Sequence, residues 1–231
     1  MELSNFTMQV LKNFASINSN IVIHPGNTIM TVAEAKNILA SATVEETFPQ
    51  EIGIYDLSEF LSVIGLTSAP TLRFTEKYAQ IGDASGRAQI KYFFSDPDNL
   101  TKPSDTNVRD KGINTPPANV SFTLDQGTLN NLKRAASALG HTEVSVTGTT
   151  KLITLSVVDQ DNSTSNTYSI DVDGEADTDQ FNFIFNIANL KVIPADYKVE
   201  LTSKLISQFT SLNLEKELKY WVALEKSSTY K

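Results

Sequence analysis

Two histidines, His24 and His141, are the imidazoles this chain offers, and they stand in different halves of it. Neither has a second histidine at the short helical spacing that puts two ring nitrogens on one metal, so both read as turn or surface residues. The other candidate for chemistry is acidic: "DVDGEADTD", Asp171 to Asp179, with Asp159 and Asp161 upstream. It opens like a calcium loop, but such a loop needs oxygen ligands at its first, third and fifth positions, glycine at the sixth and glutamate at the twelfth. Here Gly174 comes fourth, and the stretch reads as a solvated hairpin connection with weak ion binding at most. Phosphate-loop, nucleophile-elbow and dinucleotide patterns are missing, and a chain without cysteine has no thiolate ligand or thiol nucleophile. These absences point away from an enzyme; no catalytic residue, metal or cofactor is assigned.

What remains is the attraction of cations for phosphate, and it depends on the elements that carry them. A helix is predicted from Ser4 to Ile17. At 100° per residue, Leu3, Phe6, Val10, Phe14 and Ile17 fall on one side with Leu11 at its margin. Asn5, Gln9, Lys12 and Ser16 fall on the other. A second helix is predicted from Asp125 to Leu139, with Leu129, Leu132, Ala136 and Leu139 inward, Asn130, Arg134 and Ser137 outward, and Lys133 at the boundary. Neither outward face has an acid in its middle, although solvated helix faces in an acidic protein normally carry glutamate. These cations either serve solubility or face one polyanion together. Lys12 and Arg134 sit near the middle of their faces, and a short second helix adds Lys191. Such a lining would hold phosphate in a salt-dependent way without reading bases.

The two helices are drafts of one element. Thr-x-x-x-Leu-Lys-x-x-Ala-Ser occurs at Thr7 to Ser16 and again at Thr128 to Ser137. In the same order, "IYDLSEFLSVI" from Ile54 resembles "IFNIANLKVIP" from Ile184, with Asp56 and Asn186 placed to cap a short helix after a strand. Asp56 and Glu59 have capping-box spacing. Alternating segments such as "TLRFTEKYAQI", "AQIKYFF", "EVSVTG", "KLITLSVVD" and "YKVELTSKLIS" predict antiparallel strands around them. The plan is α+β, written twice, with helices on one face of antiparallel sheets. Proline and polar residues gather between Ser95 and Val120, so the domains are set at residues 1–105 and 121–231 with a connector at 106–120.

Composition bounds this reading. With 40% hydrophobic and 20% charged residues over 231 positions, the chain is that of a soluble globular protein. Its net charge of −8, shared by both halves, excludes a protein that wraps nucleic acid with its whole surface. No basic leader with an apolar core and no apolar run of about 18 residues occurs, which argues against secretion and membrane anchoring. The lack of cysteine fits reduced cytoplasm.

Four segments resemble a known family: "LKNFASIN" near the start, "IYDLSEFL" from Ile54, "FNFIFNIANLKVIPADYKVEL" from Phe181 to Leu201, and "VALEKSST" from Val222 to Thr229. In this order they are similar to the sliding clamps, or DNA polymerase processivity factors, of T4-type bacteriophages. Residues from Thr71 to Asn119 match little beyond an "SDP" turn. The resemblance implies a DNA-clamp fold, two similar domains per chain, and a homotrimeric ring with helices lining the hole and sheets outside. It implies duplex DNA encircled without sequence preference, the C-terminal peptide of a replicative polymerase as partner, an ATP-dependent clamp loader, and the cytoplasm of an infected bacterium. Lys12, Arg134 and Lys191 fall where the family carries basic residues. Lys133 stands at an apolar family position, and Asn5 and Ser137 replace usual bases. The DNA-facing set is thus Lys12, Arg134, Lys191, Lys133, Gln9, Asn5, Ser16 and Asn130. The rival reading is a phage tail or capsid protein with threonine- and asparagine-rich strands; a metal-dependent enzyme using Asp171 to Asp179 is a more distant one.

Overall fold

In the computed structural model, which describes residues 1–83, 87–103, 113–162 and 164–231, the chain divides into two units, Met1–Gly112 and Ile113–Lys231. Part of the expected connector therefore lies outside the described residues.

In the first unit, helix α1 (Asn5–Ile17) begins one residue later than the periodicity predicts. Ser4 is extended and its hydroxyl accepts the Thr7 amide at 3.1 Å, so it caps the helix instead of opening it. Val10, Leu11 and Phe14 are fully buried, Leu3 and Phe6 only half, and Thr7 joins the inward face that apolar periodicity had left to carbon side chains. The chain continues through β1 (Ile21–Ile23), β2 (Gly26–Val32), β3 (Ile38–Phe48), β4 (Ile52–Ile54), α2 (Leu57–Ile64), β5 (Thr71–Phe74), β6 (Tyr78–Gly82) and β7 (Gln89–Phe93). β1 pairs with β4, β2 with β3, and β6 lies between β5 and β7, all antiparallel. The Asp56 carboxylate accepts the Glu59 amide at 2.8 Å, so the cap forms as the spacing predicts. The Glu59 carboxylate accepts the Tyr92 hydroxyl at 3.3 Å.

The second unit is entered by β8 (Val120–Leu124) and then α3 (Gln126–Leu139), which Asp125 caps from outside as Ser4 does α1. Gly140 ends α3 in the left-handed region, φ 71°, where a side chain would cost backbone strain. The strands that follow are β9 (Glu143–Gly148), β10 (Leu152–Val158), β11 (Tyr168–Ala176), β12 (Phe181–Asn186), β13 (Tyr197–Leu201), β14 (Ile206–Ser211), β15 (Leu218–Ala223) and β16 (Thr229–Tyr230). Their hydrogen-bonded order is β16-β12-β9-β10-β11-β8-β13-β14-β15, antiparallel throughout. β8 runs along β13. In the first unit Met1 holds the matching place, exchanging backbone hydrogen bonds of 2.8 and 2.7 Å with Leu72 of β5.

Two expectations need correction. The segment from Asp171 to Ala176 is strand, not a hairpin connection: β11 pairs with β10 over Tyr168–Asp173 and passes to β8 over Gly174–Ala176. Gly174 stands at that crossing, where a Cβ would come 2.6 Å from the Ser121 carbonyl oxygen and 2.7 Å from both Ile153 and Phe122. Glycine answers close packing here, not the turn of an ion loop. The short helix after Asn186 is a single 3-10 turn, Ile187–Asn189, with the Asn186 side chain accepting the Ala188 amide at 3.0 Å. Pro194 has no amide to donate and holds Ile193 extended, which stops a longer helix. Lys191 consequently lies past the turn instead of on it.

The core of this unit closes around aromatic rings. Tyr197 donates its hydroxyl to the Ile193 carbonyl at 2.6 Å, and Tyr220 accepts the Ile193 amide at 3.2 Å. The rings meet edge to face at 6.1 Å, and burial pushes both phenols well above their usual range.

Candidate nucleic-acid interface

On α1, Asn5, Gln9, Lys12 and Ser16 are all exposed and follow one another at helical spacing along one face. On α3 the exposed residues include Asn130, Arg134 and Ser137. No acid occurs in either helix. Among the described residues, no ion pair engages Lys12 or Arg134. Lys191 is exposed beside the 3-10 turn of the second unit.

The duplication and the exposure do not carry the same cation. Lys133 is the repeat equivalent of Lys12, yet it is half-buried, and desolvation pushes its ammonium below the ordinary lysine value. The open face of α3 shows its neighbour Arg134 instead, one position and so about 100° further round the helix. Lys133 therefore sits where the boundary reading put it, and its aliphatic stem covers apolar surface.

Carboxylates are kept to the helix starts. Glu46 of β3 accepts both the Ser4 amide and the Thr7 hydroxyl at the head of α1. At the head of α3, Asp125 accepts the Thr128 amide at 2.9 Å and its hydroxyl at 2.6 Å, and Asp196 accepts the Gln126 amide at 2.8 Å. The amides that make a helix N-terminus a ready phosphate site are thus already engaged by the protein's own acids. Phosphate must be met by side chains along the middle of each helix. For Glu46 burial raises the pKa, but the Thr7 and Ser4 hydrogen bonds outweigh it and hold the carboxyl below its ordinary value. Asp125 is lowered by the Thr128 hydroxyl first and the Thr128 amide second.

The remaining chemistry-bearing residues are engaged in structure. His24 pairs with Glu51 at 2.8 Å beside the turn from β1 to β2, and the His141 ring meets the Asn166 carbonyl at 2.7 Å just after α3. Among the described residues no group of three or more histidines or acids could hold a metal ion. Sequence reasoning missed Glu46 and Asp196, since nothing in local spacing ties either acid to the helix it caps.

Comparison with known proteins matches this double plan. The family profile described as DNA polymerase processivity factor covers residues 4–80, and that described as gp45 sliding clamp, C terminal, covers 121–226. The sliding clamp of Vibrio phage KVP40 is 34% identical over 97% of this chain and 99% of its own. Those of Escherichia phage RB69 and Enterobacteria phage T4 are 30% and 31% identical, each over 100% of this chain and 99% of theirs. Among solved structures, the A. fulgidus PCNA bound to the C-terminal region of FEN-1 superposes with a TM-score of 0.70 at 14% identity, over 99% of this chain and 98% of that one. The fold is that of the DNA clamps, and the chain belongs to the sliding clamp family of the T4-type bacteriophages.

Proposed function

We propose that this protein is a DNA polymerase sliding clamp, a homotrimeric ring that encircles duplex DNA and performs no covalent chemistry. One observation carries the reading: a capped helix appears twice, each time with an acid-free exposed face and one cation in its middle, Lys12 or Arg134. A chain of net charge −8 has no other reason to clear carboxylates from those two faces. Residues 1–105 and 121–231 form the clamp domains, joined through 106–120, and α1 and α3 line the hole. Lys12, Arg134 and Lys191 meet phosphates; Gln9, Asn5, Ser16 and Asn130 complete the surface, and Lys133 contributes from its edge.

So few cations give a weak, salt-dependent hold without base readout. That suits a ring that must slide: topology, not affinity, keeps it on DNA. An ATP-driven loader opens it, and the replicative polymerase docks a C-terminal peptide, which raises its effective concentration at the primer end. The work takes place in the cytoplasm of the infected cell. Ring closure needs two strand edges, and two are available. β7 is the edge of its three-stranded sheet, and Tyr168–Asp173 of β11 is paired only on the β10 side among the described residues. Joining unlike edges head to tail gives a closed ring.

Light scattering across a dilution series tests the assembly. A mass near three times the 25.4 kDa chain, falling on dilution, is the expected result. A strict monomer at high concentration, or an open-ended polymer, would put the phage structural protein ahead.

A further inference from the structure

The outward face of the β5–β7 meander differs from the rest of this acidic chain. In the row set by the pairing Arg73 with Gln80 and Gln80 with Lys91, two cations flank an amide. One row along, Tyr78 pairs with Phe93, their ring centroids 5.4 Å apart, and the Lys91 ammonium lies 5.2 Å from the Tyr78 ring centre. One row the other way, the Gln89 side chain accepts from Gln80 at 2.8 Å. Phe93 is 65% exposed, on a strand whose alternate residues Ile90 and Tyr92 turn inward. These six side chains include no carboxylate. No ion pair among the described residues engages Arg73 or Lys91.

The second copy of the motif shows what an unused face looks like. On the matching meander β13–β15, Lys198 is paired with Glu200 at 2.8 Å and Lys219 with Glu217 at 3.0 Å. Its outward aromatic, Trp221, is 4% exposed and donates its indole N–H to Gln208 at 2.9 Å. In the first unit the cations lack such acids and the ring is bare.

We infer that the outward face of β5–β7 is a weak, sequence-independent platform for single-stranded nucleic acid. Bases stack on the Phe93 and Tyr78 rings, Arg73 and Lys91 neutralise phosphates one row away, and Gln80 and Gln89 offer amides to base edges. Flat rings beside a cationic row recognise unstacked bases, because every base has a π-face and a duplex hides it. An acidic peptide would use the cations but leaves the ring pair without a stacking partner. This platform is separate from the helix faces and from the backbone edge of β7.

The test is fluorescence anisotropy of a labelled oligothymidylate of about 16 nucleotides, a length within one stacking platform's site size, with the full chain. Over about 50 to 200 mM salt the plot of log affinity against log salt should have a slope near −1.4, two phosphates at about −0.7 each, and Lys91→Gln should halve it. Phe93→Ala should weaken binding by about fivefold or more. Lys12→Glu with Arg134→Glu should leave binding within about twofold, because those side chains lie on other elements. Absence of binding by the wild type would overturn the inference. So would loss in the Lys12 and Arg134 variant with Phe93→Ala unaffected, which assigns the binding to the helices. A change of solution mass in Phe93→Ala would also overturn it, by placing a second copy on this face. Retention on circular duplex reads the clamp independently, so either conclusion can fail without the other.

Discussion

Thr7 donates its hydroxyl to the carboxylate of Glu46, 39 residues further along the chain. Its counterpart Thr128 donates to Asp125, three residues before it, at 2.6 Å. Both threonines are buried, so each hydroxyl needs its acceptor. The duplicated motif thus keeps one requirement and meets it from two sources: a distant strand in the first unit, the helix cap itself in the second. Thr7→Val and Thr128→Val should each cost about 1.5–3 kcal/mol, the range for hydrogen bonds to charged groups, measured by urea unfolding. An unchanged midpoint in both would show that the hydroxyls are not needed.

The same bonds set an acid dependence. Both carboxyls have folded values below their reference values, 4.5 for Glu46 and 3.8 for Asp125. The unfolded chain therefore binds more protons in this range, and stability rises with pH. The contribution is fully present above 4.5 for Glu46 and above 3.8 for Asp125, and is lost as pH falls through the lower folded values. The gap between wild type and either valine variant should shrink from about pH 6 to about pH 3. A gap that widens would contradict the assignment.

Gly174 should tolerate no side chain. A Cβ there meets the Ser121 carbonyl oxygen at 2.6 Å and Phe122 at 2.7 Å, both from strand backbone or its first side-chain atom. Gly174→Ala should lower stability by about 1–3 kcal/mol as an overpacking change, while Asp173→Asn beside it changes little. Equal effects of the two would mean that charge, not space, governs this crossing.

The three helix cations should separate by exposure. On a short linear duplex, Lys12→Gln and Arg134→Gln should each reduce the salt slope by about 0.9, one released counterion per phosphate. Lys133→Met should instead raise stability, because its half-buried ammonium is disfavoured by desolvation and a methionine keeps the packed stem. A slope change in Lys133→Met matching that of Arg134→Gln would place Lys133 on the phosphate surface with them.

Local features of this fold were legible from the chain. The inward faces of α1 and α3, and the caps at Asp56 and Asn186, rest on neighbours within a turn or two, and the structure agrees to about a residue. What needed distant partners was not. Glu46 and Asp196 reach their helices across 42 and 70 residues. The strand through Asp171–Ala176 depends on β10 and β8, so its acids read as a loop while they alternate along one side of a ladder. The segment "AQIKYFF" read as strand, but the acid-free face it shares with Arg73 exists only through the β5–β6–β7 register. On the candidate interface, periodicity separated Lys12 and Arg134 from the boundary residue Lys133, since rotation about a helix axis is local geometry.

Encirclement is the central claim, and retention on DNA tests it most directly. The protein is loaded with its loader and ATP onto a nicked circular plasmid, washed in high salt, and followed after the circle is cut once. The account predicts that it stays on the circle through the wash and is lost on linearisation, since few lining cations hold it. Equal retention on cut and uncut DNA, or loss from the intact circle in salt alone, would contradict a topological ring.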